Sequence, residues 1–163
     1  MTKAQASADF FALIRRPAHF KLYLLKNLPA AYFSGLRIKS VTEEKCEVSI
    51  PYKWFTKNPF RCTYFACLGM AAEMTTGILA MAANYKRSPR VSMLVTAIEG
   101  KFYKKATGLT TFVCADGQSI QQAIETAASA DSPQSIRVLS SGFNEQDELI
   151  AEFSITWSFK ARQ

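Results

Sequence analysis

Glu73 is the single carboxylate between Thr63 and Tyr85, in a run made otherwise of Ala, Gly, Met, Leu, Thr and a few other uncharged residues. A carboxylate in apolar surroundings is penalised when charged, so unless it is paired its pKa is expected to rise toward neutrality. A group tuned in this way can take a proton from water as a general base, or attack a carbonyl carbon itself. If the run is a helix, the N–H groups that open it, around Tyr64–Ala66, face an anion site and can polarise a carbonyl oxygen. The competing reading of Glu73 is structural, as a carboxylate bonded to backbone or to an Arg across a subunit interface. Cys62 and Cys67 flank the helix start with no His beside them, which suits small buried hydrophobes better than nucleophiles.

The remaining counts narrow the chemistry. One histidine, His19, excludes a multi-histidine metal cluster, and the four cysteines (46, 62, 67 and 114) lack CxxC spacing, so no metal site is expected. Scattered thiols in apolar runs point to a reducing compartment, and no secretory signal is read in the polar start, so the expected location is cytoplasmic. The net charge of +7 is uneven: residues 1–105 carry 17 basic and 6 acidic side chains, residues 106–163 three and seven. Such a front attracts phosphates, with Lys86, Arg87 and Arg90 before one apolar run and Lys101, Lys104 and Lys105 at its end. The alternative is ordinary solvated charge. No basic run or nucleic-acid motif accompanies it, so nucleic acid is not expected as a partner.

The elements that must position these groups follow from periodicity. Residues 4–14 read as a short helix, and a second runs from Pro17 with Phe20, Tyr23, Leu24 and Leu28 at helical spacing until Pro29 ends it. Leu36/Ile38 and Cys46/Val48/Ile50 alternate with polar neighbours as a hairpin. Thr63–Tyr85 has the length of a membrane span, but its polar residues and central carboxylate favour a fully buried helix in a folded domain. Val91–Tyr103 is apolar on both faces in its middle, as a central strand should be. Gly108–Ala115, a helix over Ser119–Ala130, and strands at Ser135–Phe143 and Leu149–Lys160 complete the chain. The whole of 1–163 reads as one α+β domain, a helical addition over 1–29 and a core over 30–160. In that core a six-stranded antiparallel sheet wraps one long helix, the hotdog layout.

The segment Asn58-Pro-Phe-Arg-Cys-Thr63 through Glu73 to Gly77 resembles the hotdog-fold acyl-CoA thioesterases, specifically the phenylacetate-pathway (PaaI-type) group and its domain-of-unknown-function relatives. In those proteins an Asn precedes the helix, small residues open it, and an Asp or Glu lies one to two turns in. The resemblance implies hydrolysis of an acyl-CoA or acyl-carrier thioester at the interface of a homodimer, possibly a tetramer, with no cofactor beyond the coenzyme A of the substrate. It implies Glu73 and Asn58 as catalytic groups and Thr63, Tyr64, Phe65 and Ala66 as the oxyanion and substrate-binding turn. Trp54, Phe55 and Phe60 would line an acyl pocket or belong to the core, and Arg87, Arg90, Lys104 and Lys105 would meet the coenzyme A phosphates. Many PaaI-type members carry His-Gly-Gly at the helix start, where this chain has Cys62-Thr63-Tyr64, so oxyanion stabilisation would fall to backbone amides. The alternative is a non-catalytic acyl-CoA or fatty-acyl binding protein of the same fold.

Overall fold

The computed structural model describes residues 3–129 and 132–162. Three helices come first, α1 (Lys3–Ile14), α2 (Pro17–Asn27) and α3 (Pro29–Ser34). They are followed by β1 (Arg37–Val41), β2 (Cys46–Ile50), α4 (Phe65–Asn84), β3 (Val91–Phe102), β4 (Thr110–Cys114), α5 (Gly117–Ser129), β5 (Gln134–Phe143) and β6 (Leu149–Ala161). The six strands form one antiparallel sheet in the order β1-β2-β4-β5-β6-β3. The expected hotdog architecture is present, with α4 packed against the concave face. The last residue of the expected 119–130 helix, Ala130, lies outside the described residues, as do both ends of the expected 1–163 domain.

Pro29 does not end the helical region. It opens α3, because a proline at the first helical position loses no intrahelical hydrogen bond and already has a helical φ. Gly35 then closes α3 in the left-handed conformation (φ 80°), its N–H reaching back to the carbonyls of Ala31 and Tyr32.

β6 alternates as its sequence demands, with Ala151, Phe153, Ile155, Trp157 and Phe159 buried on the face toward α4. Two side-chain bonds, one to β6 and one to β5, fix the rotation of α4 against the sheet. Trp157 Nε1 donates to Thr76 Oγ1 at 2.9 Å, and the Thr75 and Ser140 hydroxyls lie 2.9 Å apart. Both bonds are buried, where an unmet polar group would cost about 1–3 kcal/mol, so they select one helix orientation. α5 presents Ile120, Ile124 and Ala127 to the core, and begins where Gly117 passes so close to the Glu43 carbonyl that a Cβ would lie 2.0 Å from it.

Two expectations are corrected. β3 is an edge strand, bonded only to β6, although its composition reads as central. Its register sets Ile98 opposite Ile155 and Phe102 opposite Ala151, so Ile98 and Phe102 share the concave face, yet they remain 53% and 50% exposed. No described residue covers their outer halves. For the same reason α4 is not buried all round: Ala66 is exposed, and Gly69, Met70 and Glu73, recurring at helical spacing, are only partly covered. The helix is long and apolar enough to cross a membrane, but most of it is packed inside the domain.

Candidate functional site

Glu73 leaves the partly covered stripe of α4 into a cavity of about 280 Å³ between α2, α4 and the strands β3 and β6. Phe20, Leu24, Met74, Ile78, Met93 and Trp157 supply most of its apolar wall. Room for the carboxylate comes from Gly77, one turn on. A Cβ there would sit 3.1 Å from Glu73 Oε1 and 3.7 Å from the Trp157 ring. No described residue donates a hydrogen bond or an opposite charge to this carboxylate. Burial therefore pushes its pKa above the ordinary carboxylate value without compensation. The structural alternative within this chain, a bond to backbone or to an arginine, is absent among the described residues.

The start of α4 lies in a second cavity, about 560 Å³, lined by Asn58, Phe60, Tyr64, Phe65, Phe102 and Lys105 among others. Tyr64 is the N-cap, with extended backbone (φ −62°, ψ 135°) and no side-chain cap bond. The N–H of Thr63 donates to Ala106 O (2.8 Å) and that of Tyr64 to Thr56 O (2.7 Å). Those of Phe65 and Ala66 have no acceptor among the described residues. The expected donor turn of residues 63–66 thus divides: two amides hold the loop and two are available to an anion at the positive end of the helix.

Asn58 is occupied by its own loop. Its Oδ1 accepts from the Phe60 and Cys62 amides at 3.0 and 3.2 Å, and its Nδ2 lies 3.3 Å from Cys62 Sγ. Arg61 takes the left-handed conformation (φ 59°) within the same turn. These bonds make Asn58 the residue that shapes the loop into α4. Cys62 is tied to it, and burial raises the Cys67 thiol above its ordinary value. Raised pKa values from burial also mark Cys46 and Cys114, the latter to about 11, so neither thiol supplies a thiolate at neutral pH.

The expected aromatic and basic groups are separated. Phe60 lines the Asn58 cavity, while Trp54 is 80% exposed and Phe55 packs against Phe33 with ring centroids 6.1 Å apart. Lys104 and Lys105 flank the Asn58 cavity, where Lys104 pairs with Glu148 (2.6 Å) and Lys105 Nζ reaches Phe60 O (3.4 Å). Arg87 and Arg90 precede the other end of the 12-residue strand β3, roughly 35 Å away at the usual rise per residue. Arg87 is nearly covered and faces Glu125 at 3.8 Å, whereas Arg90 lines a third, apolar cavity of about 570 Å³ together with Lys86 and His19. That cavity lies between the N-terminal helices and the second half of α4. No periodicity within residues 10–23 or 78–93 could announce it, because it exists only once those segments pack together.

A long helix packed against a six-stranded antiparallel sheet in this order is the hotdog fold. The chain belongs to the family described as Domain of unknown function (DUF4442), whose model matches residues 19–159. A search of curated proteins returns no match. Among solved structures it is similar to PA5026 from Pseudomonas aeruginosa, described as a protein of unknown function and probable thioesterase. That pair is 21% identical with a TM-score of 0.75, over 90% of this chain and 97% of the other. It is also similar to thioesterase HI1161 from Haemophilus influenzae (15% identity, TM-score 0.62, 86% and 88% covered). The PaaI protein from the phenylacetic acid degradation operon of E. coli is similar at 13% identity and a TM-score of 0.61, over 99% and 97% of the two chains. At these identities the likeness establishes the fold.

Proposed function

We propose that this protein hydrolyses an acyl thioester, with coenzyme A or an acyl-carrier protein as the leaving thiol, at a site shared between two copies of the chain. The observation that carries this reading is the Glu73 carboxylate, largely withdrawn from water, without a partner among the described residues, and open to a cavity. The thioesterase descriptions of two of the similar structures favour the same chemistry.

The geometry bears on where the reaction takes place. Glu73 and Phe65 are eight residues apart on one helix, about 12 Å along its axis. A thioester carbonyl needs its base and its oxyanion donors each about 3 Å from the reacting atoms. One chain cannot supply both. Two copies can, if they meet through the uncovered faces of β3 and α4 around a twofold axis. Glu73 of one protomer then faces the Phe65 and Ala66 amides of its partner. Burying Ile98 and Phe102 in that contact explains why a strand of central composition lies at a sheet edge.

In this arrangement Glu73 removes a proton from water as the oxygen adds to the carbonyl carbon. The two amides receive the negative charge that develops on the carbonyl oxygen. Collapse of the tetrahedral intermediate breaks the carbon–sulfur bond, and the proton on Glu73 passes to the leaving thiolate. The free acid and the thiol depart. Attack by the Glu73 carboxylate itself, through an anhydride that water then opens, uses the same groups. Lys105, beside the amide end, is placed to meet a phosphate of the carrier.

A thiol-release assay over acetyl, phenylacetyl, octanoyl and palmitoyl thioesters tests the reading. Turnover by wild type and its loss in Glu73→Ala are expected. No turnover above the Glu73→Ala background with any acyl group, while acyl-CoA still binds, would replace the hydrolase reading with the non-catalytic binding one.

A further inference from the structure

The 570 Å³ cavity lies within the roughly 300–1,000 Å³ range of small-molecule sites, and its walls are mostly apolar. Helices α1 and α2 roof it, and Phe10 of α1 packs on Tyr85 at the end of α4 with ring centroids 5.3 Å apart. An ion pair between Asp9 and Lys86 (3.1 Å) ties α1 to the same end. Phe20, Tyr23, Ile78, Met81 and Met93 line both this cavity and the Glu73 pocket, so the two adjoin along one wall. Three of these five side chains are aliphatic or thioether groups able to adapt to an inserted chain.

The polar atoms present do not invite a polar ligand into the interior. Asn84 spends its amide on Val91, donating to the carbonyl at 2.7 Å and accepting from the N–H at 3.1 Å. The Tyr23 hydroxyl lies against Met81 Sδ at 3.9 Å. His19, Lys86, Arg90 and Arg162, which also line it, are solvent-exposed residues, so their polar groups belong to its open side. An amide, sugar or hydroxylated ring placed inside would leave its donors and acceptors unmet, at a cost hydrocarbon does not incur.

We propose that the cleft beneath α1 and α2 is an acyl-chain tunnel, which takes the unbranched hydrocarbon tail of a fatty-acyl thioester whose carbonyl stands at Glu73. The assignment of the carbonyl rests on the hydrolase reading above; the assignment of the cleft to a hydrocarbon chain rests on its lining. The N-terminal helices are then the element that sets specificity, and a long straight chain is preferred to a short or aromatic acyl group.

The test is a series of butyryl-, octanoyl-, dodecanoyl- and palmitoyl-CoA, with phenylacetyl-CoA beside it, on wild type, Met81→Trp and Leu13→Trp. Each methylene accommodated in the tunnel raises kcat/KM by up to about fourfold. Met81 stands at the junction of the two cavities and Leu13 on the outer wall. Met81→Trp should lower the dodecanoyl-to-butyryl ratio, by about fifteenfold if it blocks two methylenes. Leu13→Trp, at a half-exposed position that tolerates the larger ring, should lower only the palmitoyl-to-dodecanoyl ratio. Ratios are read so that loss of folded protein cancels.

Turnover that is flat across chain lengths, or best with phenylacetyl-CoA, or ratios unchanged in both variants, would overturn the tunnel and leave the hydrolase reading standing. Displacement of cis-parinaric acid by palmitate separates the two in the other direction. If no thioester is turned over but palmitate displaces the probe from wild type, and less readily from Met81→Trp, the tunnel stands and the hydrolase reading falls.

Discussion

Replacing Ile98 with lysine puts the two-copy arrangement to its most direct test. The Ile98 side chain points to the concave face of β3 near Gly69 of α4, and 53% of the residue is uncovered in the single chain. Complete burial of an isoleucine contributes about 1.5–3 kcal/mol, so covering the exposed half contributes about 1 kcal/mol per copy. A twofold contact counts it twice, and Ile98→Ala should therefore weaken the dimer by about 2 kcal/mol, roughly thirtyfold in Kd. Lysine adds the desolvation of two ammonium groups brought toward each other across the axis, which takes the loss to about 3–4 kcal/mol and the Kd up by about 10²–10³-fold. Sedimentation velocity over a range of concentrations measures this, with circular dichroism to confirm that the variant chain remains folded. Leu94→Lys is the internal control. It sits on the same strand but opposite Ser158, hence on the convex face, and should change the Kd far less. Wild type that stays monomeric at every concentration would refute the reasoning, as would an Ile98→Lys dimer with an unaltered Kd. In the first case Glu73 and the free amides would have to work within one chain, across a distance that no single carbonyl spans; in the second the copies would meet through another face.

Other consequences are as specific. Because burial raises the pKa of Glu73, the native state holds a proton that the unfolded chain has released at the same pH. Stability contributed by this residue is thus full below the ordinary carboxylate pKa and is lost as pH rises through the raised value. Glu73→Gln should accordingly gain stability over wild type as pH is raised from 4 to 8, about the span that brackets a shifted carboxylate, in urea melts, while losing thioester hydrolysis. A stability difference that does not change over that range would contradict the burial account. Phe65→Pro removes one of the two free amides at a position where proline suits the helix, since the preceding Tyr64 is already extended. Compared with Phe65→Ala, which removes only the ring, it should lower kcat by about 10²–10³ if that N–H holds the oxyanion; equal rates for the two would remove the amide from the mechanism. Gly77→Ala places a methyl group 3.1 Å from Glu73 Oε1. Helix propensity favours the alanine by about 1 kcal/mol, so a thermal melt close to wild type together with reduced turnover is expected, whereas unaltered turnover would mean that the carboxylate needs no room there.

Comparing sequence with structure shows which physics is local. β6 was readable because its buried and exposed residues alternate, and alternation is a property of the strand alone. Glu73 was readable for a similar reason: a lone carboxylate in an apolar helix is conspicuous whatever surrounds the helix. The composition of β3 is that of a covered strand, yet its place is at the sheet edge. Apolar residues on both faces signal that a strand will be covered, and the signal is the same whether the cover comes from its own chain or from another. Pro29 bounds α2 as expected and also opens α3, because proline stops one helix and starts the next with equal ease. The roles of Asn58 and of the donor turn were hidden at a finer level. Residue type shows that an amide or an N–H exists, but only the folded loop shows that Phe60, Cys62, Thr56 and Ala106 already use some of them. The basic front of the chain had the same ambiguity, since charges adjacent in sequence to one strand lie at its two ends, roughly 35 Å apart. A single carrier cannot have its phosphates held at both ends within one chain. Lys105 stands by the amide cavity and Arg90 by the cleft beneath α1 and α2, so on the function proposed above the two charges serve different ends of the substrate.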